Sequence, residues 1–165
     1  GDIAFSQSLL DKLIIERGDV VVSVDVSWKK YWLMRYGKIN YDVESLRLDK
    51  NNLIISLGKP DPKIHDIDGR YVGLLKFSHK GLYSIKKIWE KYKNDYWNKP
   101  WQVSGKPMRQ AYMTDMLQAL IDNNYQVNAS LTQNGWIEFD TDSDYENAQS
   151  WMRSGTLTTT LGIEI

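Results

Sequence analysis

Three aspartates stand where short apolar runs meet helices. Asp140 ends Trp136-Ile137-Glu138-Phe139-Asp140, Asp25 ends Val20-Val21-Val22-Ser23-Val24-Asp25, and Asp2 belongs to the opening Gly1-Asp2-Ile3-Ala4-Phe5. Strand ends are where α/β sheets place ligand-binding groups, and a carboxylate there holds a cation or accepts hydrogen bonds. Two also have a plainer reading: Asp140 turns the chain, and Asp2 is an exposed terminal acid. Asp142, Asp144 and Glu146 are accounted for by structure alone. Thr141 with Asp144, or Ser143 with Glu146, fits the capping-box spacing, and acids suit a helix N-terminus. Two further charges sit oddly. Lys76 interrupts the apolar run Leu74-Leu75-Lys76-Phe77, where it either snorkels at a sheet edge or aims a positive charge at a phosphate. Asp115 falls at the edge of an apolar helical stripe.

Composition narrows the setting. The 165 residues suit one domain with a real core, and 42% hydrophobic with 25% charged residues is ordinary for a globular chain. Lysine plus arginine and aspartate plus glutamate number 21 each, so nothing suggests a nucleic-acid partner. The absence of cysteine excludes disulfides, thiol catalysis and thiolate metal sites. No apolar run reaches membrane-span length and no signal peptide is visible, so the expected compartment is the cytoplasm. Seven Trp and ten Tyr are many for this length. They imply either packing or a cleft with aromatic walls.

The elements that must position these residues follow from periodicity. Ser6 predicts an N-cap for a helix burying Leu9, Leu10, Leu13 and Ile14, ended by Arg17-Gly18. The continuous apolar run Val20 to Asp25 predicts a strand buried on both faces, as in a parallel sheet. Strand, helix and strand make a βαβ unit. Lys29 to Tyr36 is a short aromatic and basic helix or loop. Asp49-Lys50-Asn51 joins two strands as a hairpin, and Gly58-Lys59-Pro60-Asp61-Pro62 breaks the second. Gly73, inside the strand Arg70 to Ser78, marks a bulge or the close approach of a ligand. Leu82 to Tyr96 and Met108 to Leu120 have helical spacing, with Pro107 starting the second helix. A strand over Tyr125 to Ser130 precedes the one ending at Asp140. Alternation puts Ile137 and Phe139 on one face, and Trp136, Glu138 and Asp140 on the other.

Several of these stretches, in order, resemble the C-terminal part of nucleotidyltransferases of the sugar-1-phosphate and phosphocholine or aminoethylphosphonate cytidylyltransferase type. They are Gly1-Asp2-Ile3-Ala4-Phe5, Val24-Asp25-Val26-Ser27-Trp28 with Tyr31 and Arg35, and Asp68-Gly69-Arg70 through Ser78. Tyr112-Met113-Thr114-Asp115-Met116-Leu117-Gln118 and Trp136 through Tyr145 complete the set. The resemblance runs from about residue 2 to 148. It implies an α/β fold: a mixed, mainly parallel Rossmann-like sheet with flanking helices, over residues 1–153, followed by a β-prone tail over 154–165.

The resemblance also implies a reaction. An acceptor oxygen on a phosphate or phosphonate attacks the α-phosphorus of a nucleoside triphosphate, and pyrophosphate leaves. Magnesium is the implied cofactor, held by Asp2 and Asp140. Asp25 is assigned to the acceptor pocket, and Lys76 and Lys59 to offsetting phosphate charge. Asp115 orients a substrate group or Lys76. The overhanging segment Trp28, Tyr31, Trp32 and Arg35 is assigned to a zwitterionic acceptor, aromatic faces for its cation and Arg35 for its anion. Glu138, on the Asp140 face, is counted with these substrate-binding residues.

The family's Gly-rich loop followed by Arg and Lys has no counterpart here, so the N-terminal nucleotide-binding half is expected to be missing and the chain alone inactive. A lost half would expose strand Val20 to Val24 or its neighbour. The segment Thr156 to Ile165 could then cover that edge, in its own chain or in a homodimer by strand exchange. Two other readings stand beside this one. A glycosyltransferase would use Asp25-Val26-Ser27 as an approximate metal-binding D-x-D, and a non-catalytic binding module would keep the fold without the chemistry.

Overall fold

A computed structural model describes residues 2–164. Gly1, where the first matching stretch begins, and Ile165, the last residue of the tail, lie outside the described residues. The fold is mixed α/β. Strand β1 (Ile3–Phe5) leads into helix α1 (Gln7–Ile15), where the Ser6 hydroxyl accepts the Leu9 amide at 3.3 Å as its cap. Strand β2 (Val20–Asp25) is buried along its whole length. Helix α2 (Trp28–Tyr36) resolves the aromatic, basic segment as a helix, ended by Gly37 in the left-handed conformation.

The hairpin is present as β3 (Glu44–Leu48) and β4 (Ile54–Pro60). Asp49 turns it by accepting the amides of Asn51 and Leu53, each at 2.8 Å. β4 runs through Gly58-Lys59-Pro60 instead of stopping at the glycine. Strand β5 (Arg70–Phe77) carries the expected bulge: its register against β2 slips between Leu75 and Tyr71, around Gly73 at φ +85°. Helix α3 (His79–Tyr96) is capped by Ser78. Its Gly81 is required by proximity, because a Cβ there would lie 2.0 Å from the Asp19 carbonyl oxygen. Pro107 opens only a single 3-10 turn over Met108–Gln110, and helix α4 starts later (Met113–Asp122). Strands β6 (Asn128–Thr132) and β7 (Trp136–Glu138) follow, then α5 (Asp142–Arg153) behind a Thr141–Asp144 capping box, and α6 (Thr156–Leu161).

Two sequence-based expectations are corrected. Among the described residues the sheets are not mainly parallel. β2 pairs parallel with β6, but β2–β5, β1–β7 and β3–β4 are all antiparallel. The apolar run in β2 signals burial on both faces, which a central strand of a mixed sheet satisfies as well as a parallel one. The tail is not a strand. It forms α6, which packs Leu157 and Leu161, with Ile163 after it, into the core of its own chain. β2 is flanked on both sides by β5 and β6, so the outer strands of this sheet are its neighbours and not β2 itself.

Packing divides around the sheet. Val20, Val22 and Val24 of β2 join residues of β4, α3 and α4 in one core. The second core gathers Leu9, Trp28, Tyr31, Trp32, Trp136 and Ile137 with α5 and α6. Between them the β1–β7 pair, the β3–β4 hairpin, the bulged β5 and the start of α4 enclose a cleft.

Candidate active site

The cleft has a volume of about 420 Å³ and is bordered by Asp42, Glu44, Arg70, Glu138 and Asp140, with Tyr71 and Tyr112 among its walls. Such a size suits a small-molecule site. The bulge matters here, since Gly73 and its neighbours line the cleft too.

Beneath Asp140 lies a buried cation. The Arg35 side chain, 1% exposed, grips Asp144 with two hydrogen bonds of 2.7 and 2.8 Å. It also donates to Glu138 at 2.6 Å and to Asp140 at 2.8 Å. A guanidinium's planar fork can serve three carboxylates at once, which a lysine cannot. Burial opposes the charge on Arg35, but Asp144 and Asp140 outweigh it and hold the guanidinium firmly protonated. For Asp144 burial likewise raises the pKa, yet Arg35, the Asp140 amide and Thr141 bring it down to about 2. Glu138 goes the other way: its burial raises its pKa against the pull of Arg35 and Arg70. Asp140 keeps 51% of its side-chain surface open. One of its oxygens, Oδ2, is tied to Arg35.

Asp2 is brought to the same end of the structure. Its carbonyl accepts the Phe139 amide at 2.8 Å, one residue before Asp140, and its side chain is exposed. It precedes β1, where the sequence suggested a strand end. Asp25 is not in the cleft. It is buried at the far end of β7, where it accepts the Ser27 amide (2.8 Å), the Asn134 amide (3.1 Å) and Trp136 Nε1 (2.9 Å). Those bonds make it a fold-holding acid instead of an acceptor ligand. They also remove the D-x-D reading of Asp25-Val26-Ser27.

Other assignments are redirected as well. The Lys76 ammonium donates to the carbonyls of Ile14 (3.1 Å) and Glu16, closing the C-terminus of α1. Asp115 is wholly buried and accepts from the Tyr112 amide (2.9 Å) and from Ser104, pinning the loop before α4 to its first turn. It touches neither Lys76 nor the cleft. Lys59 is exposed near the end of β4 and does not line the cleft. Trp28, Tyr31 and Trp32 are core residues, 1%, 1% and 0% exposed, and the Tyr31 hydroxyl accepts the Glu138 amide at 2.8 Å. Arg35 is near the predicted site but serves carboxylates of its own chain, so it presents no free face to an acceptor. Glu138 and Asp140 are brought together as expected.

Among the described residues no three acids or histidines are grouped as a ready-made metal site. Magnesium does not require one. It binds through one or two carboxylates and completes its octahedron with phosphate oxygens and water. The half-exposed Asp140, and the exposed Asp2 whose backbone bonds to Phe139 beside it, fit that demand.

The residues that sequence reasoning left without a role are Arg70, Glu44, Asp42 and Tyr71. Arg70 lay inside a quoted stretch, and its position at the head of an apolar strand was the available signal.

Comparison with known proteins adds the following. No family model matches the chain. The CTP:phosphoglutamine cytidylyltransferase of Campylobacter jejuni is 34% identical over 145 residues, covering 88% of this chain and 55% of that protein. The solved inositol-1-phosphate CTP transferase from T. maritima shares the fold with a TM-score of 0.58 at 15% identity, over 99% of this chain and 55% of that one. The chain thus spans about half the length of each. The resemblance to cytidylyltransferase-type enzymes is borne out.

Proposed function

We propose that this chain forms the metal- and acceptor-binding part of a cytidylyltransferase, which transfers a nucleoside monophosphate from a triphosphate, CTP first, to a small phosphate- or phosphonate-bearing acceptor. The observation that carries the reading is Asp140: a fixed, half-open carboxylate at an acid-rich cleft, in a chain 34% identical to a cytidylyltransferase. Magnesium, when bound, offsets the charge that builds as the acceptor oxygen attacks the α-phosphorus and pyrophosphate leaves. Asp140 and Asp2 would hold it.

The chain's own residues do the positioning. Arg35 is a positioning residue that holds Asp140 in place, so little reorganisation is needed when cation and phosphates arrive. Glu138 shares that clamp and turns its remaining edge to the cleft. Asp42 and Glu44 with the faces of Tyr71 and Tyr112 favour a cationic group on the acceptor.

The test is pyrophosphate release by the protein at its full encoded length, with each of the four common ribonucleoside triphosphates, magnesium and a panel of phosphorylated amines and sugars. CTP-dependent release with an amine-bearing acceptor supports the reading. Triphosphate binding without turnover for any acceptor overturns it in favour of a binding module.

A further inference from the structure

We propose that Arg70 is the seat for the acceptor's phosphate or phosphonate group, its guanidinium taking oxygens of that group at the wall of the cleft. This rests on the cleft being the acceptor site, and it deepens that reading by naming the residue that selects a phosphorylated acceptor.

Such an acceptor needs a cation in the cleft, and the chain offers few. Lys76 closes the end of α1, and Lys59 does not line the cleft. Among the described residues Arg70 is the only lysine or arginine that does. Arg70 is 9% exposed, and its guanidinium carbon lies 4.2 Å from the centre of the Trp32 ring. Stacking on the indole fixes the plane of the fork but fills none of its N–H donors. Arg70 makes no ion pair among the described residues, and its Nε is buried with no hydrogen-bond partner. Arg35, at 5.5 Å from the same ring, is the contrast: three carboxylates take its donors. A nearly buried arginine is normally paired, because desolvating its donors without partners is costly. Burial disfavours the Arg70 charge, against the pull of Glu138, Glu44 and Asp42. A bound oxyanion restores what desolvation removes.

The position suits the reaction. Glu138, the carboxylate that acts on Arg70 most strongly, is bonded to Arg35 at 2.6 Å, and Arg35 holds Asp140 at 2.8 Å. Arg70 and Asp140 border one space, so a phosphate seated on Arg70 shares the cleft with the carboxylate proposed for the metal. A guanidinium binds two phosphate oxygens in parallel. The third terminal oxygen stays free as the nucleophile, and the bond it makes to the α-phosphorus replaces the one lost with pyrophosphate. One guanidinium among Asp42, Glu44, Glu138 and Asp140 suits a single phosphate. A triphosphate carries more negative charge than one arginine offsets in that setting.

The test is calorimetric binding to the protein at its full encoded length. The probes are phosphoethanolamine, phosphocholine, 2-aminoethylphosphonate and glucose 1-phosphate, each beside its phosphate-free counterpart, with CTP measured separately. At least one phosphorylated probe should bind, and only with its phosphate. Arg70→Met should weaken the tightest probe about tenfold or more, with CTP affinity and thermal midpoint little changed, and Arg70→Lys should recover part of the loss. Probe affinity unchanged in Arg70→Met overturns the proposal, as does binding by none of the probes. So does CTP affinity falling as far as probe affinity or further, which would assign Arg70 to the triphosphate. Nitrogen-15 NMR of the unmodified protein does not depend on a variant folding. The Arg70 Nε–H signal should shift at saturation with the phosphorylated probe and stay in place with its phosphate-free counterpart. A signal unmoved at saturation overturns the proposal. Pyrophosphate release separates the two readings. Arg70-dependent probe binding with no CTP turnover sinks the cytidylyltransferase reading alone. Turnover whose acceptor KM is indifferent to Arg70→Met sinks this one alone.

Discussion

Arg35 donates to Asp140 at 2.8 Å from below the cleft, its side chain 1% exposed and that of Asp140 51% exposed. The contact joins a core cation to a surface acid, and the same guanidinium anchors Asp144 and Glu138. The first turn of α5 and the end of β7 are therefore set by a single residue of α2.

Removing Arg35 should cost the fold more than it costs ligand contact. Arg35→Met leaves Asp144 and Glu138 partly buried without a counter-charge, a loss of about 3–5 kcal/mol in stability. Arg35→Lys keeps the charge but cannot span three carboxylates, and should lose somewhat less. Urea unfolding of the two variants measures this. A loss under about 1 kcal/mol would mean the cluster contributes little.

The Asp144 carboxyl predicts an acid limit. Its folded pKa, about 2, lies below the unfolded value of about 3.9. Its contribution is therefore fully present above the unfolded value and is lost as pH falls towards 2. Asp144→Asn should narrow the stability gap to the unmodified protein between about pH 4 and pH 2 and leave it constant above pH 5. Urea midpoints at pH 7, 4 and 2.5 read it. A gap independent of pH would separate Asp144 from the ion cluster.

Asp25 should behave as a structural acid. It accepts three N–H groups in the core, and Asp25→Asn turns a donor towards one of them, at a cost of about 1–3 kcal/mol. Nucleotide and acceptor affinities of the folded variant should hold. A selective loss of acceptor affinity with unchanged stability would return Asp25 to the site.

Local signals in the chain were read well where one residue decides the outcome. Ser6, Asp49, Gly73 and the Thr141–Asp144 pair each fulfil the cap, turn or bulge that their spacing predicts. Strand direction was not legible, because a run such as Val20 to Val24 reports burial and not which way its neighbours run. Thr156 to Leu161 reads as β-prone by composition, yet Leu157 and Leu161, four apart, bury one helical face, and packing overrode propensity. Glu138 and Asp140 both line the cleft because β7 and the two residues after it carry them there. Lys76 was misread because the carbonyls it caps lie 62 and 60 residues away, whereas Asp115 was misread although its partners Ser104 and Tyr112 are near in sequence. Arg35 shows the same limit as Lys76: its three carboxylates lie more than a hundred residues away.

The central claim is that Asp140 binds the metal of nucleotidyl transfer. Electron paramagnetic resonance of Mn²⁺ titrated into the protein at its full encoded length, with CTP present, tests it most directly. Asp140→Asn keeps the Arg35 contact available through its amide oxygen but removes the anionic ligand. It should weaken CTP-dependent Mn²⁺ binding by about tenfold or more, with the thermal midpoint little changed. Mn²⁺ binding that is undiminished in Asp140→Asn would contradict the account.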